Sequence, residues 1–169
     1  MTPDEVLACG RDVLRHEAEA IRRVQDALEH EPLREAFARA VQTVLATSGH
    51  VVVCGVGKPW FIAQKLSATL ASTGTPSFAL HPSEAVHGDI GRVRRTDIVL
   101  LLSNSGESEE VLRLLPVLAE IGATRIACTA VASSSLGRSV ELCLAYGPIV
   151  EACPLQLAPS SSSTAMLAL

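Results

Sequence analysis

Between residues 48 and 145, short β-branched or aliphatic runs alternate with stretches of helical apolar spacing, and this alternation constrains the fold more than any other feature. The run Val51-Val52-Val53-Cys54 meets a glycine turn at Gly55-Val56-Gly57 and passes into a helical segment over 61–73. Further short strands are expected at 77–80, 97–102, 126–129 and 142–145, with a helix over 108–121 between the third and the fourth. Strands joined through helices run parallel, because a crossover of that length carries the chain back to the edge at which the previous strand began. The expected class is therefore α/β, a three-layer sandwich whose mainly parallel five-stranded sheet is flanked by helices. Pro116 falls inside the 108–121 helix, where it has no N–H for the carbonyl of Leu112, so a kink or a late start is expected there.

Ahead of the sheet, Val6, Val13, Leu14, Ala18, Ile21, Val24 and Leu28, and then Leu33, Phe37, Val41, Val44 and Leu45, recur at helical spacing. The break at Glu31-Pro32, where proline suits the opening of a helix, gives two antiparallel helices over 1–47, the second ended by Gly49-His50. An α/β core then fills 48–169, and 169 residues fit one domain with a core of its own. Near the end, Pro159 and the run Ser160-Ser161-Ser162-Ser163-Thr164 read as a helix N-cap, followed by Ala165-Met166-Leu167-Ala168-Leu169. A helix cut after roughly one turn is too short to stand alone. A domain truncated on its C-terminal side is the expectation.

A buried sheet covered by helices suits a chain that is 48% hydrophobic and 3% aromatic with a mean hydropathy of +0.32, and such a surplus also suits subunit interfaces. The formal charge of −4 and the lack of a Lys/Arg run exclude nucleic acid as a main partner, because binding a phosphate backbone needs a concentrated basic surface. Cys9, Cys54, Cys128, Cys143 and Cys153 form no C-x-x-C pair and read as buried thiols of a reducing compartment. The N-terminus is acidic and no apolar stretch reaches the ~18 residues of a membrane span, so the expected location is the cytoplasm.

The strand ending at Leu102 runs into Ser103-Asn104-Ser105-Gly106-Glu107-Ser108 and then a helix, which sets hydroxyls and free N–H groups at the carboxyl end of a parallel strand. A phosphate there would meet the hydroxyls of Ser103, Ser105 and Ser108, a close backbone approach at Gly106, and the positive end of the helix dipole. An ordinary capped helix start is the alternative. At Gly55-Val56-Gly57-Lys58 the third glycine of a dinucleotide motif is replaced by Trp60, and Pro59 after Lys58 excludes a P-loop. Lys58 either meets an anionic substrate or is simply solvated. His81, Glu84, His87 and Asp89 gather on what reads as a loop; imidazoles there can move protons, or His81, His87 and Asp89 can ligate zinc. Glu107, Glu109 and Glu110 fall in a first helical turn, where the dipole favours acids in any case, and Glu151 follows the last strand.

Six motifs in order resemble the sugar isomerase (SIS) domain, and more closely the D-arabinose-5-phosphate isomerase family: Gly55-Val56-Gly57-Lys58, Ala71-Ser72-Thr73-Gly74-Thr75-Pro76, His81-Pro82-Ser83-Glu84-Ala85, His87-Gly88-Asp89, the segment 103–108, and Glu151-Ala152-Cys153-Pro154-Leu155. The similarity runs from about Val6 to the last residue. It implies a flavodoxin-like sheet without a nucleotide, and interconversion of D-ribulose 5-phosphate and D-arabinose 5-phosphate through an enediolate, in lipopolysaccharide biosynthesis. No cofactor is implied. On the same ground Ser103, Asn104, Ser105, Gly106 and Ser108 hold the phosphate, Gly57, Gly74, Thr75, His81 and His87 contact substrate, and Lys58, His87, Glu110 and Glu151 are catalytic. His81 is also a position that takes inhibitory zinc, and homotetramers with shared sites are implied. Two features depart from the family: Gly57-Lys58-Pro59-Trp60-Phe61 replaces the usual Gly-Lys-Ser-Gly-His, and no Ser-His-Pro-Gly-Gly segment or CBS pair follows Leu169. A non-catalytic sugar-phosphate-binding domain, or an isomerase of another sugar phosphate, is the rival reading.

Overall fold

The computed structural model describes residues 1–155 and 157–169. Helix α1, Pro3–Leu28, opens on a reciprocal cap in which Glu5 N–H donates to Thr2 Oγ1 (3.3 Å) and Thr2 N–H donates to Glu5 Oε2 (2.7 Å). Helix α2, Leu33–Ala46, follows the proline break as expected, but Gly49-His50 does not end it. Gly49 instead passes so close to Thr96 that a Cβ would overlap the Thr96 carbonyl. Beside it the buried Asp97 carboxylate accepts the N–H groups of His50 and Arg94, each at 2.8 Å.

The sheet comprises β1 Val51–Gly55, β2 Ser77–Leu80, β3 Ile98–Leu102, β4 Thr124–Thr129 and β5 Leu142–Ala145, all parallel, in the order β2-β1-β3-β4-β5. Side chains alternate across it: Val52 and Cys54 face one core, and Val51 and Val53 the other. The first core is closed by α4 Pro82–Val86, α5 Glu109–Leu112 and α6 Leu115–Ile121, through the fully buried Ala85, Val111 and Leu118. The second is closed by α1, by α3 Lys58–Ser72 and by α7 Ser161–Ala168, with α2 covering the β3-β4-β5 end. Three layers and five parallel strands agree with the sequence expectation.

Several boundaries differ for identifiable reasons. Helix α3 starts earlier than expected, because Gly57 turns the chain at φ 67° and Pro59 fits the first turn. The 108–121 helix is two helices, and the interruption expected at Pro116 is a late start, Pro116 lying in the first turn of α6, where its missing N–H costs nothing. The 81–89 segment is not a loop but α4 followed by a 3-10 turn at Asp89–Arg92. The last helix, α7, has eight residues and is stabilised by burying Ala165 and Met166 against α1 and α3, so length alone does not decide its fate. Cys54 and Cys128 are buried as expected and their thiols are pushed up to about 12 by burial; Cys9 is exposed and Cys143 only half-buried. Among the described residues no helix is long and apolar enough to cross a membrane.

Candidate functional site

In a sheet ordered β2-β1-β3 the chain winds one way from β1 and then the other from β3, so the loops leaving these two strands part and open a crevice at their carboxyl ends. The structure has a cleft of about 360 Å³ there, lined by Val56, Lys58 and Pro59 after β1, by Asn104, Ser105 and Ser108 after β3, and by Ser162 and Ser163 of α7. One lysine and five polar side chains thus converge on one space.

The 103–108 loop is built largely from its own hydroxyls. Ser103 is buried; its Oγ accepts Gly106 N–H (3.1 Å) and lies 2.9 Å from Ser108 Oγ. Ser103 therefore sits under the cleft rather than lining it, while Asn104, Ser105 and Ser108 face the space. Gly106 has φ 69°, and a Cβ on it would overlap Ser134 Oγ and Cβ, so the glycine is demanded by the neighbouring 131–135 turn as well as by its own backbone. Outside the loop, Thr129 Oγ1 (3.1 Å) and Ala130 N–H (2.9 Å) donate to the Asn104 carbonyl, and Tyr146 Oη donates to Asn104 Oδ1 at 2.7 Å. Burial raises the Tyr146 hydroxyl, and the charges of Cys128 and Glu151 add to this, so it remains a neutral donor that fixes the Asn104 amide. Glu107 points away to accept Ser135 N–H at 2.7 Å; that bond and the Ser135 hydroxyl hold its carboxyl below the usual range. Helix α5 has four residues, so an anion here meets hydroxyls and N–H groups more than the macrodipole the sequence suggested.

The other sequence candidates are distributed around this cleft unequally. Gly57 caps α3 beside Lys58. His81 caps α4, with its Nδ1 accepting Ser83 N–H at 3.2 Å and its ring edge-on to Trp60, centroids 5.0 Å apart. Among the described residues no three His, Cys, Asp or Glu side chains converge as a metal site. His87, at the C-cap of α4, and Glu110, on α5, are exposed and stand on elements in mutual contact, outside the cleft lining. Glu151 accepts Ser160 N–H (2.7 Å) and Ser162 N–H (3.3 Å) at the start of α7. Burial raises its carboxyl, but the hydrogen bonds from Ser162 and Ser160 outweigh that and lower it overall. Gly74 and Thr75 lie elsewhere: Pro76 O accepts the N–H of Val51, the first residue of β1, so their turn is at the amino edge of the sheet, opposite the cleft. A helix-to-strand turn in a parallel unit returns the chain to that edge, which separates these two from the site within one chain.

Sequence reasoning missed Thr129, Tyr146, Ser162 and Ser163. A signal existed for the serines, since a Ser-rich N-cap after a strand and loop repeats the 103–108 pattern; Tyr146 and Thr129 look like strand-end residues until the sheet order is known.

Residues 44–169 match the SIS domain family. The arabinose 5-phosphate isomerase KdsD of Pseudomonas aeruginosa is 48% identical over 133 residues, covering 79% of this chain and 41% of that protein. The KdsD of Shigella flexneri is 43% identical over 158 residues, covering 94% of this chain and 47% of its own length. The chain therefore spans less than half the length of these curated relatives. The structure of Escherichia coli CFT073 c3406 in complex with arabinose 5-phosphate superposes with a TM-score of 0.92 at 43% identity, covering 99% of this chain and 86% of that one. Sheet winding and matched stretch agree, and the chain belongs to the SIS domain family.

Proposed function

We propose that the chain is the sugar-phosphate isomerase domain of an aldose–ketose isomerase that interconverts D-arabinose 5-phosphate and D-ribulose 5-phosphate. The observation that carries this is the cleft at the β1/β3 switch point, where Lys58 faces Asn104, Ser105 and Ser108, in a chain 48% identical to an arabinose 5-phosphate isomerase. In this reading the hydroxyls of Ser105 and Ser108 and the loop N–H groups bind the phosphate, with Ser103 and Gly106 shaping the loop beneath. After ring opening, a base removes the C2 proton of the aldose, the electrons move to O1, and the enediolate is held by Lys58. A proton then returns to C1 and one leaves the C2 hydroxyl, giving the ketose. Glu110 is proposed as the base, His87 as an acid/base for ring opening and oxygen protonation, and Glu151 as a further catalytic group. His81 and Gly57 are proposed substrate contacts, and Gly74 and Thr75 would reach substrate only from another copy. The proposed setting is a cytoplasmic homotetramer in lipopolysaccharide biosynthesis, to which Val6, Leu7, Leu14 and Ile21, exposed on α1, offer apolar surface.

A non-catalytic sugar-phosphate-binding domain is favoured by one observation: of the titratable candidates, only Lys58 lines the cleft. Assay in deuterated water against a panel of pentose and hexose phosphates separates the two. Isomerisation of arabinose 5-phosphate with deuterium at C1 of the ketose supports the enzyme; saturable binding without turnover refutes it.

A further inference from the structure

Glu151 sits in a segment without regular structure, and a hydrogen-bond chain that begins on α1 holds that segment. Glu151 Oε2 accepts Ser160 N–H, Ser160 Oγ–H (3.2 Å) and Ser162 N–H. The next amide, Ala152 N–H, donates to Ser160 Oγ (3.0 Å) and to Ser161 Oγ (3.1 Å). Ser161 is fully buried, and its single hydroxyl proton goes to Glu17 Oε1, 3.2 Å away across the contact between α1 and α7. With that proton committed to the Glu17 carboxyl oxygen, the Ser161 lone pairs are turned toward Ala152 N–H, and each bond in the chain polarises the next.

Packing does not account for a carboxylate at this position. Glu17 Oε2 is buried with no hydrogen-bond partner among the described residues, and a buried acceptor left unpaired lowers stability relative to an apolar residue of similar volume. What Glu17 adds is the side-chain acceptor it offers Ser161 at the amino end of α7. Through Ser161 it reaches both the Glu151-Ala152 segment and the turn that presents Ser162 and Ser163 to the cleft.

We propose that Glu17 is a positioning residue: through the Ser161 hydroxyl it fixes the 151–152 segment and the first turn of α7, and so holds the Glu151 carboxylate beside the cleft. The catalytic half of this statement rests on the reading of Glu151 as a group in the isomerisation; the tie itself does not. The test uses Glu17→Ala and Glu17→Gln, with Glu151→Gln as reference, and reads amide hydrogen exchange at Ala152 and Ser162, kcat on arabinose 5-phosphate, and the thermal midpoint. Loss of the acceptor in Glu17→Ala is expected to speed exchange at both amides about tenfold and lower kcat about tenfold. Glu17→Gln keeps a side-chain carbonyl for Ser161 and should stay within about threefold of the parent on both readouts. Unchanged exchange in Glu17→Ala overturns the proposal, as does a fall in thermal midpoint with kcat per folded molecule intact. Equal damage in both Glu17 variants overturns the acceptor role. Faster exchange with unchanged kcat overturns the positioning of a catalytic Glu151, and an equally unaffected Glu151→Gln locates the failure in the reading of Glu151. Where the parent turns over no pentose phosphate, the isomerase reading has failed and the exchange rates alone decide for or against the tie.

Discussion

Gly106→Ala tests whether the cleft loop is fixed by its fit to the 131–135 turn. The backbone at φ 69° costs an L residue about 1–2 kcal/mol. The added Cβ also overlaps Ser134, which is 3% exposed and whose Oγ accepts Gly137 N–H at 3.1 Å, so Ser134 must turn and release that donor at a cost of about 1–3 kcal/mol. The sum is about 2–5 kcal/mol, which for a chain of this size lowers the melting midpoint by on the order of 10 °C. Urea and thermal unfolding of the parent, Gly106→Ala, Ser134→Gly and the double variant separate the two contributions. On the Ser134→Gly background the overlap with Ser134 is gone, and the backbone cost of about 1–2 kcal/mol remains together with a tight approach to Thr129 Oγ1 at 3.1 Å. A Gly106→Ala variant within about 0.5 kcal/mol of the parent, or one equally damaged in both backgrounds, refutes the reasoning.

Four further outcomes follow from the same contacts. Glu110→Gln should lower kcat about 10²–10⁴-fold with little change in phosphate binding, measured by steady-state kinetics and inorganic phosphate competition; unchanged turnover dismisses Glu110 as the base. Lys58→Met should cost about 10²-fold in kcat if the ammonium stabilises the enediolate, and a change confined to KM would reassign it to binding. Asp97→Ala leaves the N–H groups of His50 and Arg94 without their acceptor, at about 1–3 kcal/mol each, read by urea denaturation with arabinose 5-phosphate turnover per folded molecule retained. Burial raises the Glu141 carboxyl, but the hydrogen bonds and charge of Arg125 together hold it below the usual carboxylate range, so its contribution is present above the unfolded pKa and is lost as pH falls through the lower folded value; Glu141→Gln should flatten this part of a stability-against-pH curve measured by urea denaturation.

The secondary-structure grammar and the place of the loop were legible in the chain's local patterns. Period-two β-branched runs and helical spacing are local signals, and parallel pairing follows from the lengths of the segments between strands. Ser103-Asn104-Ser105-Gly106 after a buried strand was legible as a turn with exposed hydroxyls for the same local reason. The boundary at Gly57 was less legible, because Pro59 opens α3 only once the chain turns just before it, and Pro116 left a kink and a late start equally open until α6 was seen to begin at Leu115. Packing alone settled which serines face the cleft and which lie beneath it, and that α7 closes one side. These depend on strand order and on contacts such as Glu17 with Ser161, 144 residues apart, or Tyr146 with Asn104, which no local pattern encodes. Sequence specifies which residues can make a hydrogen bond or enter a core; packing of the layers selects the partners they meet.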